Sequence, residues 1–229
     1  MDFKVQTLLD PDKDKMERAV EEVIGELDES SSFLFYFSGH CVYSGQDNFL
    51  LPTDASVRSS RELRKHSLPV SDILELLYAK ARPSATVIIL DACSAGEITT
   101  KESKSRFYKE GLQISYPMRN TFIAYASKPS TSALETADGH SVYTTALLKY
   151  ISRPNIPLTQ LFGQVAQEVR SRTSGAQTPF IVSTMEKDYY LTEEPPMAPP
   201  SKSPHPRVIS LPSMVPEPIR FKHTLIPQA

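Results

Sequence analysis

The chain has 229 residues, a formal net charge of -2 and an apolar fraction of 40%, which fits one globular domain with an appended tail and disfavours a nucleic-acid-binding protein with a basic face. No apolar run approaches the roughly 20 residues of a membrane span, and the Met1–Lys4 start lacks the basic and apolar regions of a secretory signal. Because only two cysteines occur, a disulfide-stapled secreted domain is disfavoured, and we expect a cytoplasmic protein that contacts neither membrane nor nucleic acid.

The predicted elements begin with a helix that opens at Asp10-Pro11, where a capping side chain precedes a proline at the first helical position. Its apolar residues recur at the spacing of one buried helix face, and they are Met16, Ala19, Val20, Val23, Ile24 and Leu27. Phe33 to Phe37 then form a continuous apolar strand, and Ser71 is expected to cap a second helix.

The alternation of strands and helices continues through the second half of the chain. Apolar strands are predicted at Ala85–Leu90 and Thr121–Ala126, helices at Val142–Ile151 and about Leu158–Ser171, and a last strand at Phe180–Ser183. Strands that are apolar on both faces belong in a parallel sheet covered by helices on each side. We therefore predict an α/β domain over residues 1–191, with an open, mostly parallel sheet and helices on both faces.

Residues 192–229 differ in composition from the rest of the chain. They are rich in proline, contain no glycine and show no sustained period. Because proline cannot donate to a helix or sheet ladder, we predict a disordered or polyproline-like tail. A solvated tail is the simplest interpretation, and the stretch "PPMAPP" leaves open a docking strip for proline-recognising modules.

Two residues that can carry chemistry follow the predicted strands. His40 comes shortly after Phe33–Phe37, and Cys93 comes shortly after Ala85–Leu90. Function in open α/β sheets gathers at the carboxyl ends of the strands, and an imidazole beside a thiol can activate it as a nucleophile. The pair predicts a thiol hydrolase, although a buried cysteine and a hydrogen-bonded histidine would give the same pattern. His40, Cys93 and Cys41 would give a metal three ligands, and the sequence signals no fourth. No glycine-rich loop indicates a cofactor.

Several stretches together carry a family resemblance. The stretches "FYFSGHC", "NFLLPTDA" and "VIILDACSAG" resemble the histidine strand, the following hairpin and the cysteine strand of caspase-like peptidases. The stretches "SVYTTALLKYI" and "QTPFIVSTMEKDYYL" are similar to a later helix and the final strand of that domain. The "DACSA" loop departs from the Q-A-C-x-G loop of the aspartate-specific caspases, and the chain is most similar to the paracaspases, over about Asp2–Leu191.

The resemblance implies a role for each matching residue. His40 matches the catalytic histidine and Cys93 the nucleophile, and the backbone amides of Cys41 and Cys93 match the pair that holds the oxyanion. The family usually has glycine at the position of Cys41. This chain therefore has a side chain where other family members have none. The two cysteines also leave open a reversible disulfide, provided that their Cα atoms lie within about 7 Å.

The resemblance also implies a specificity. Asp91 and Glu135 match two acids of the paracaspase pocket that receives the substrate side chain before the scissile bond, so cleavage after Arg or Lys is expected. Asp91 could instead accept hydrogen bonds for a structural purpose, and Glu135 could be a plain solvated carboxylate. The expected partners are a protein or peptide substrate with a basic residue, and a second copy or a scaffold that induces assembly. A catalytically inactive caspase-like interaction module is the alternative.

The N-terminal region resembles the family only in part. Family members place a strand and a helix, with a third pocket acid, before the strand that "FKVQTLL" matches, and the resemblance implies that these are missing in front of Lys4. In the family's sheet the missing strand lies between "FKVQTLL" and "FLFYF". We therefore expect the segment Lys4–Leu8 to be displaced, to detach, or to close directly onto Phe33–Phe37.

Overall fold

The computed structural model describes residues 3–44, 47–57, 59–94, 118–127 and 140–192. In these ranges the strands are β1 Ser32–Ser44, β2 Asp47–Leu50, β3 Leu68–Pro69, β4 Ala85–Ser94, β5 Thr121–Tyr125 and β6 Phe180–Ser183. The helices are α1 Lys13–Gly25, α2 Ser60–His66, α3 Val70–Lys80, α4 Val142–Tyr150 and α5 Leu158–Arg172. The predicted tail beyond residue 192 lies outside the described residues.

The strands form one open sheet in the order β3-β2-β1-β4-β5-β6. The three central strands, β1, β4 and β5, run parallel, whereas β2, β3 and β6 join the sheet by antiparallel pairings. The predicted α/β class is confirmed, with the parallel part confined to the three strands that are apolar on both faces. The carboxyl ends of these three strands therefore meet at one edge of the sheet.

Helices cover both faces of the sheet, as the sequence predicts. On one face α1 and α3 pack on Ile88 and Leu90 of β4, and on the other α4 and α5 pack on Val87 and Ile89. Successive side chains of a strand point to opposite faces, so a single apolar run supplies both cores. None of the helices in the described part of the chain is long and apolar enough to cross a membrane.

Two helix starts differ from the sequence prediction. The N-cap of α1 is Asp12, whose side chain accepts from the amide of Lys15, and Asp10 lies before it with a left-handed φ of 44°. In α3, Ser71 lies inside the first turn and its Oγ donates to Asp47 of β2 at 2.5 Å, so it does not cap the helix. Serine and aspartate side chains can cap a nearby helix or hydrogen-bond a group that is distant in the chain, and the tertiary neighbours decide which bond forms. The short helix α2 was not predicted.

The segment Lys4–Leu8 is not part of the sheet. It lies along α1, where Lys4 pairs with Glu26 at 2.5 Å and Gln6 bonds Glu22 at 3.5 Å. Residues 32–39 of β1 pair with β4 alone among the described strands, because the pairing with β2 begins only at Cys41. Of the three outcomes expected for this segment, the structure has it detached from the sheet. One edge of β1 is thus left without a neighbouring strand in the described part of the chain.

Candidate active site

The backbones of His40 and Cys93 lie side by side at the carboxyl edge of the sheet. The two residues are Cα partners in the parallel register of β1 and β4, and neighbouring strands lie about 4.8 Å apart. The His40 side chain is exposed, and its carbonyl accepts from the amide of Leu51 at 2.9 Å. The structure therefore brings the backbone positions of both predicted catalytic residues to the same place.

Close packing at Gly39 sets the path of the chain into His40. A Cβ added to Gly39 would lie 3.0 Å from Cζ of Phe37, which is tighter than nine in ten real Cβ contacts. Phe37 belongs to the core between the sheet and helices α1 and α3, so its ring has little room to retreat. Glycine therefore fits before the histidine without displacing Phe37, whereas a larger residue would require that ring to shift.

The hairpin that follows His40 is tied to two other elements. Asp47, at the start of β2, accepts from the Oγ of Ser71 at 2.5 Å and from its amide at 3.2 Å. The side-chain amide of Asn48 donates to the hydroxyl of Tyr125 at 3.4 Å, which links β2 to the end of β5. These bonds hold the start of β2 to both α3 and β5.

Cys41 has a buried side chain. It is 5% exposed and packs in the core cluster with Phe37 and Leu50. Burial, followed by the charge of Asp47, raises the pKa of the Cys41 thiol to about 12. A thiol held protonated in this way is a poor partner for disulfide exchange, which disfavours the reversible disulfide that the sequence leaves open. Because the His40 carbonyl points to β2, strand alternation directs the Cys41 amide toward β4.

Asp91 is buried behind three hydroxyl groups. The residue is 4% exposed, and its Oδ2 accepts from Ser141 Oγ, from Thr144 Oγ1 and, at 3.4 Å, from the hydroxyl of Tyr36. Tyr36 and Thr144 also bond each other at 2.6 Å. Burial raises the pKa of Asp91 above its ordinary value, and the bonds from Ser141, Thr144 and Tyr36 oppose that rise only in part. The carboxyl group is thus held by β1 and by the start of α4.

The second oxygen of Asp91 is not satisfied. Oδ1 is buried and has no hydrogen-bond partner among the described residues, and the same holds for the hydroxyl of Tyr143 on α4. Burial, followed by the charges of Asp91 and Tyr36, raises the pKa of Tyr143 well above its ordinary value. The purely structural interpretation of Asp91 therefore explains one of its two oxygens and leaves the other unexplained.

Tyr36, Ser141 and Thr144 are not among the site residues that the sequence predicts. A usable signal existed for Ser141, because a serine directly before an apolar helix is a typical N-cap, and its Oγ accepts from the amide of Thr144 at 2.8 Å. Tyr36 carries the one hydroxyl inside the apolar run of β1, which alone does not indicate a site. Glu135, the second predicted pocket acid, lies outside the described residues.

The carboxyl end of β5 is held by two contacts from other parts of the described chain. Gln177 is fully buried, and its Nε2 donates to the carbonyl of Ala126 at 2.9 Å, directly after β5. Tyr125, the residue before, stacks on Phe180 of β6 with ring centroids 4.6 Å apart. The end of β5 is therefore held at the same edge of the sheet as His40.

Comparisons with known proteins agree with this architecture. The family model described as "Caspase domain" matches residues 1–190. The mucosa-associated lymphoid tissue lymphoma translocation protein 1 of Homo sapiens is 26% identical over 202 residues, covering 84% of this chain and 23% of the human protein. Its homolog in Mus musculus is 27% identical over 202 residues, covering 84% of this chain and 22% of the mouse protein.

A solved structure supports the fold. The crystal structure of caspase-1 from Spodoptera frugiperda matches with a TM-score of 0.54 at 15% sequence identity, covering 84% of this chain and 75% of that one. At this identity the likeness concerns the fold alone. The chain spans about a quarter of the length of the two translocation proteins, so their further regions have no counterpart in the matched part.

Proposed function

The chain belongs to the caspase domain family, and on this premise we propose that it is a cysteine endopeptidase that hydrolyses peptide bonds after Arg or Lys. The observation that carries the proposal is the register of β1 and β4, in which His40 and Cys93 are partners at the sheet edge. A thiol and an imidazole on adjacent strand ends can exchange a proton over a short distance.

The proposed reaction has two steps. His40 takes the proton of the Cys93 thiol, the sulfur attacks the scissile carbonyl carbon, and His40 returns the proton to the leaving amine as the C–N bond breaks. A water molecule, deprotonated by His40, then attacks the thioester and releases the acid product and the free thiol. The amides of Cys41 and Cys93 are proposed to stabilise the negative oxygen in both steps, at a few kcal/mol each.

The proposed preference for a basic side chain depends on Asp91. The residue lies two positions before Cys93 on β4, and its buried carboxyl keeps one oxygen without a partner in the described structure. A guanidinium or ammonium group is the natural complement of such an oxygen. The sequence adds Glu135 as a second acid, and two carboxylates that converge on one slot favour a cation between them.

An interaction module without catalysis is a second candidate, favoured by the open edge of β1. Residues 32–39 have a strand neighbour on one side only within the described chain, and an edge of this kind accepts another strand readily. We propose a cytoplasmic location, and activation by a second copy or a scaffold, as accompaniments of the peptidase function.

Covalent labelling tests the peptidase proposal. A peptide with Arg at its last position and an acyloxymethyl ketone behind it should add one label to the protein, seen by intact-mass spectrometry and mapped to Cys93. Cys93→Ala should remove the label, and Cys41→Ala should keep it because that thiol is buried. A wild-type chain that takes up no label, or a Cys93→Ala variant that still does, would overturn the proposal in favour of the interaction module.

A further inference from the structure

We propose that Tyr36, Ser141 and Thr144 are positioning residues that hold Asp91 so that its free Oδ1 receives the charged group of a substrate side chain. The inference rests on the proposed endopeptidase function and adds to it a source of specificity. The three residues come from β1 and from the start of α4, two elements that meet only in the folded chain.

The protons of the three hydroxyls can be assigned. The amide of Thr144 donates to Ser141 Oγ at 2.8 Å, so the hydroxyl proton of Ser141 is free for Asp91 Oδ2. The hydroxyl of Tyr36 lies 2.6 Å from Thr144 Oγ1, whose own proton points to the same Oδ2. The protons of Ser141 and Thr144 thus end on Oδ2, and that of Tyr36 ends on Thr144 Oγ1 and reaches the carboxyl through it, which is an arrangement for an ionised carboxylate. Oδ1 remains the only oxygen of Asp91 that can accept a further donor.

The charge of Asp91 has no full counterpart in the described structure. The described ion pairs do not include Asp91, and the titratable groups that face it are Tyr36 on β1 and Tyr143 on α4. Burial raises the pKa of both phenols, so neither carries charge at neutral pH. The partial positive charge at the start of α4 compensates only in part. A buried carboxylate in this situation favours an incoming cation strongly over a neutral group of the same shape.

The hydroxyls matter because they fix the side-chain rotamer. Without them the carboxylate can rotate and satisfy either oxygen with water, which removes its preference for a charged ligand. With them, Oδ1 is presented in one orientation and is desolvated before a ligand arrives, so binding needs little reorganisation. The hydroxyls therefore act on the substrate through Asp91 and do not touch it themselves.

A pair of peptides that differ in one group tests this inference. One peptide carries Arg before the scissile bond and the other carries citrulline, which has nearly the same shape without the charge. In the wild-type chain kcat/KM should be higher for Arg, and Thr144→Val should lower the Arg-to-citrulline ratio about 10-fold, as expected for a bond to a charged group. Thr144→Ser should restore the ratio because it keeps the hydroxyl. Tyr36→Phe should lower it less.

A matched control is available in the same helix turn. Thr145 bonds the backbone carbonyl of Ser141 at 3.0 Å and makes no contact with Asp91 among the described bonds. Thr145→Val should therefore leave the ratio at the wild-type value. Thermal unfolding of each variant separates loss of specificity from loss of fold, and Thr144→Ser and Tyr36→Phe keep the test open if Thr144→Val does not fold.

The outcomes distinguish this inference from the proposed function. If Thr144→Val lowers kcat/KM equally for both peptides, or changes neither, the positioning role is wrong while the peptidase proposal stands. If the wild-type chain cleaves no peptide, the peptidase proposal is wrong, and binding to Cys93→Ala by fluorescence anisotropy decides the inference. In that variant tighter binding of the Arg peptide that is lost in Thr144→Val supports the role, and equal binding of both peptides overturns it.

Discussion

His40 on β1 and Cys93 on β4 are register partners near the end of the parallel pairing, although β2, α2, β3 and α3 lie between the two strands in the chain. If the imidazole moves protons in the reaction, His40→Ala should lower kcat about 10²–10⁴-fold, the usual contribution of general acid–base catalysis. In a separate Cys93→Ala variant, binding of an Arg peptide should persist. The control is His66→Ala, a change at the end of α2. A loss of activity in His66→Ala as large as in His40→Ala would contradict the assignment.

Gly39→Ala should destabilise the domain. The added Cβ would lie 3.0 Å from the ring of Phe37 in the core, and overpacking of this kind costs about 1–3 kcal/mol of unfolding free energy. Urea unfolding measures it. Gly163→Ala is the matched control, because a Cβ there meets nothing within 4 Å and alanine is favoured in a helix such as α5. Equal stabilities of the two variants would show that the core around Phe37 adapts freely.

Asp91→Asn should change how stability depends on pH. Because the pKa of Asp91 is raised in the folded state, the folded chain holds this proton more tightly than the unfolded chain, whose Asp91 has the ordinary value of 3.8. Stability from Asp91 is therefore fully present below that value and is lost as pH rises through the folded pKa. Relative to wild type, Asp91→Asn should gain stability as pH rises from acid to neutral. Tyr36 and Tyr143 do not titrate in this range. A stability difference that stays constant with pH would contradict the buried, unpaired carboxylate.

Cys41 should not react with thiol reagents in the native chain. Its thiol is buried in the core, and its pKa of about 12 leaves little thiolate at pH 8. In a Cys93→Ser variant, Ellman's reagent should therefore release colour only after denaturant is added. Rapid colour from the native variant would show that the core opens at Cys41, and it would revive the disulfide with Cys93.

Hydrogen exchange should alternate along the first part of β1. Two hydrogen bonds show which amides of β1 point to which side. The carbonyl of Ser31 accepts from the amide of Ser84, on the β4 side, and the carbonyl of His40 accepts from the amide of Leu51, on the β2 side. The amides of Phe33, Phe35 and Phe37 thus face β4. Those of Leu34, Tyr36 and Ser38 face the edge that has no described strand neighbour.

The second set of amides should exchange faster than the first by NMR or by mass spectrometry with fragment resolution. Protection of both sets would mean that a further strand, from this chain or another copy, covers the edge.

Local patterns in the sequence determined most of the sheet and its two helical layers. Phe33–Phe37 and Ala85–Leu90 are apolar at nearly every position. Such runs are typical of strands that are covered on both faces, and both form central strands in the structure. The positions of His40 and Cys93 beyond these runs placed them near the end of the parallel pairing, although β1 itself continues to Ser44. The starts of the helices were predicted less accurately. Ser71 and Asp10 are residue types that cap helices, but in the structure Ser71 bonds Asp47 and Asp10 has a left-handed backbone before the helix.

Tertiary structure alone decided the setting of Asp91 and the fate of the N-terminal segment. Tyr36, Asp91 and Thr144 are far apart in the chain, and no local pattern links a hydroxyl in an apolar strand to a carboxyl in another. The alternating sequence "FKVQTLL" has the period of a strand, yet a strand needs a neighbour with free amides and carbonyls. In the described structure it has none, and it lies along α1 instead. Periodicity reports which face a segment can bury, whereas hydrogen-bond partners are supplied by the rest of the fold.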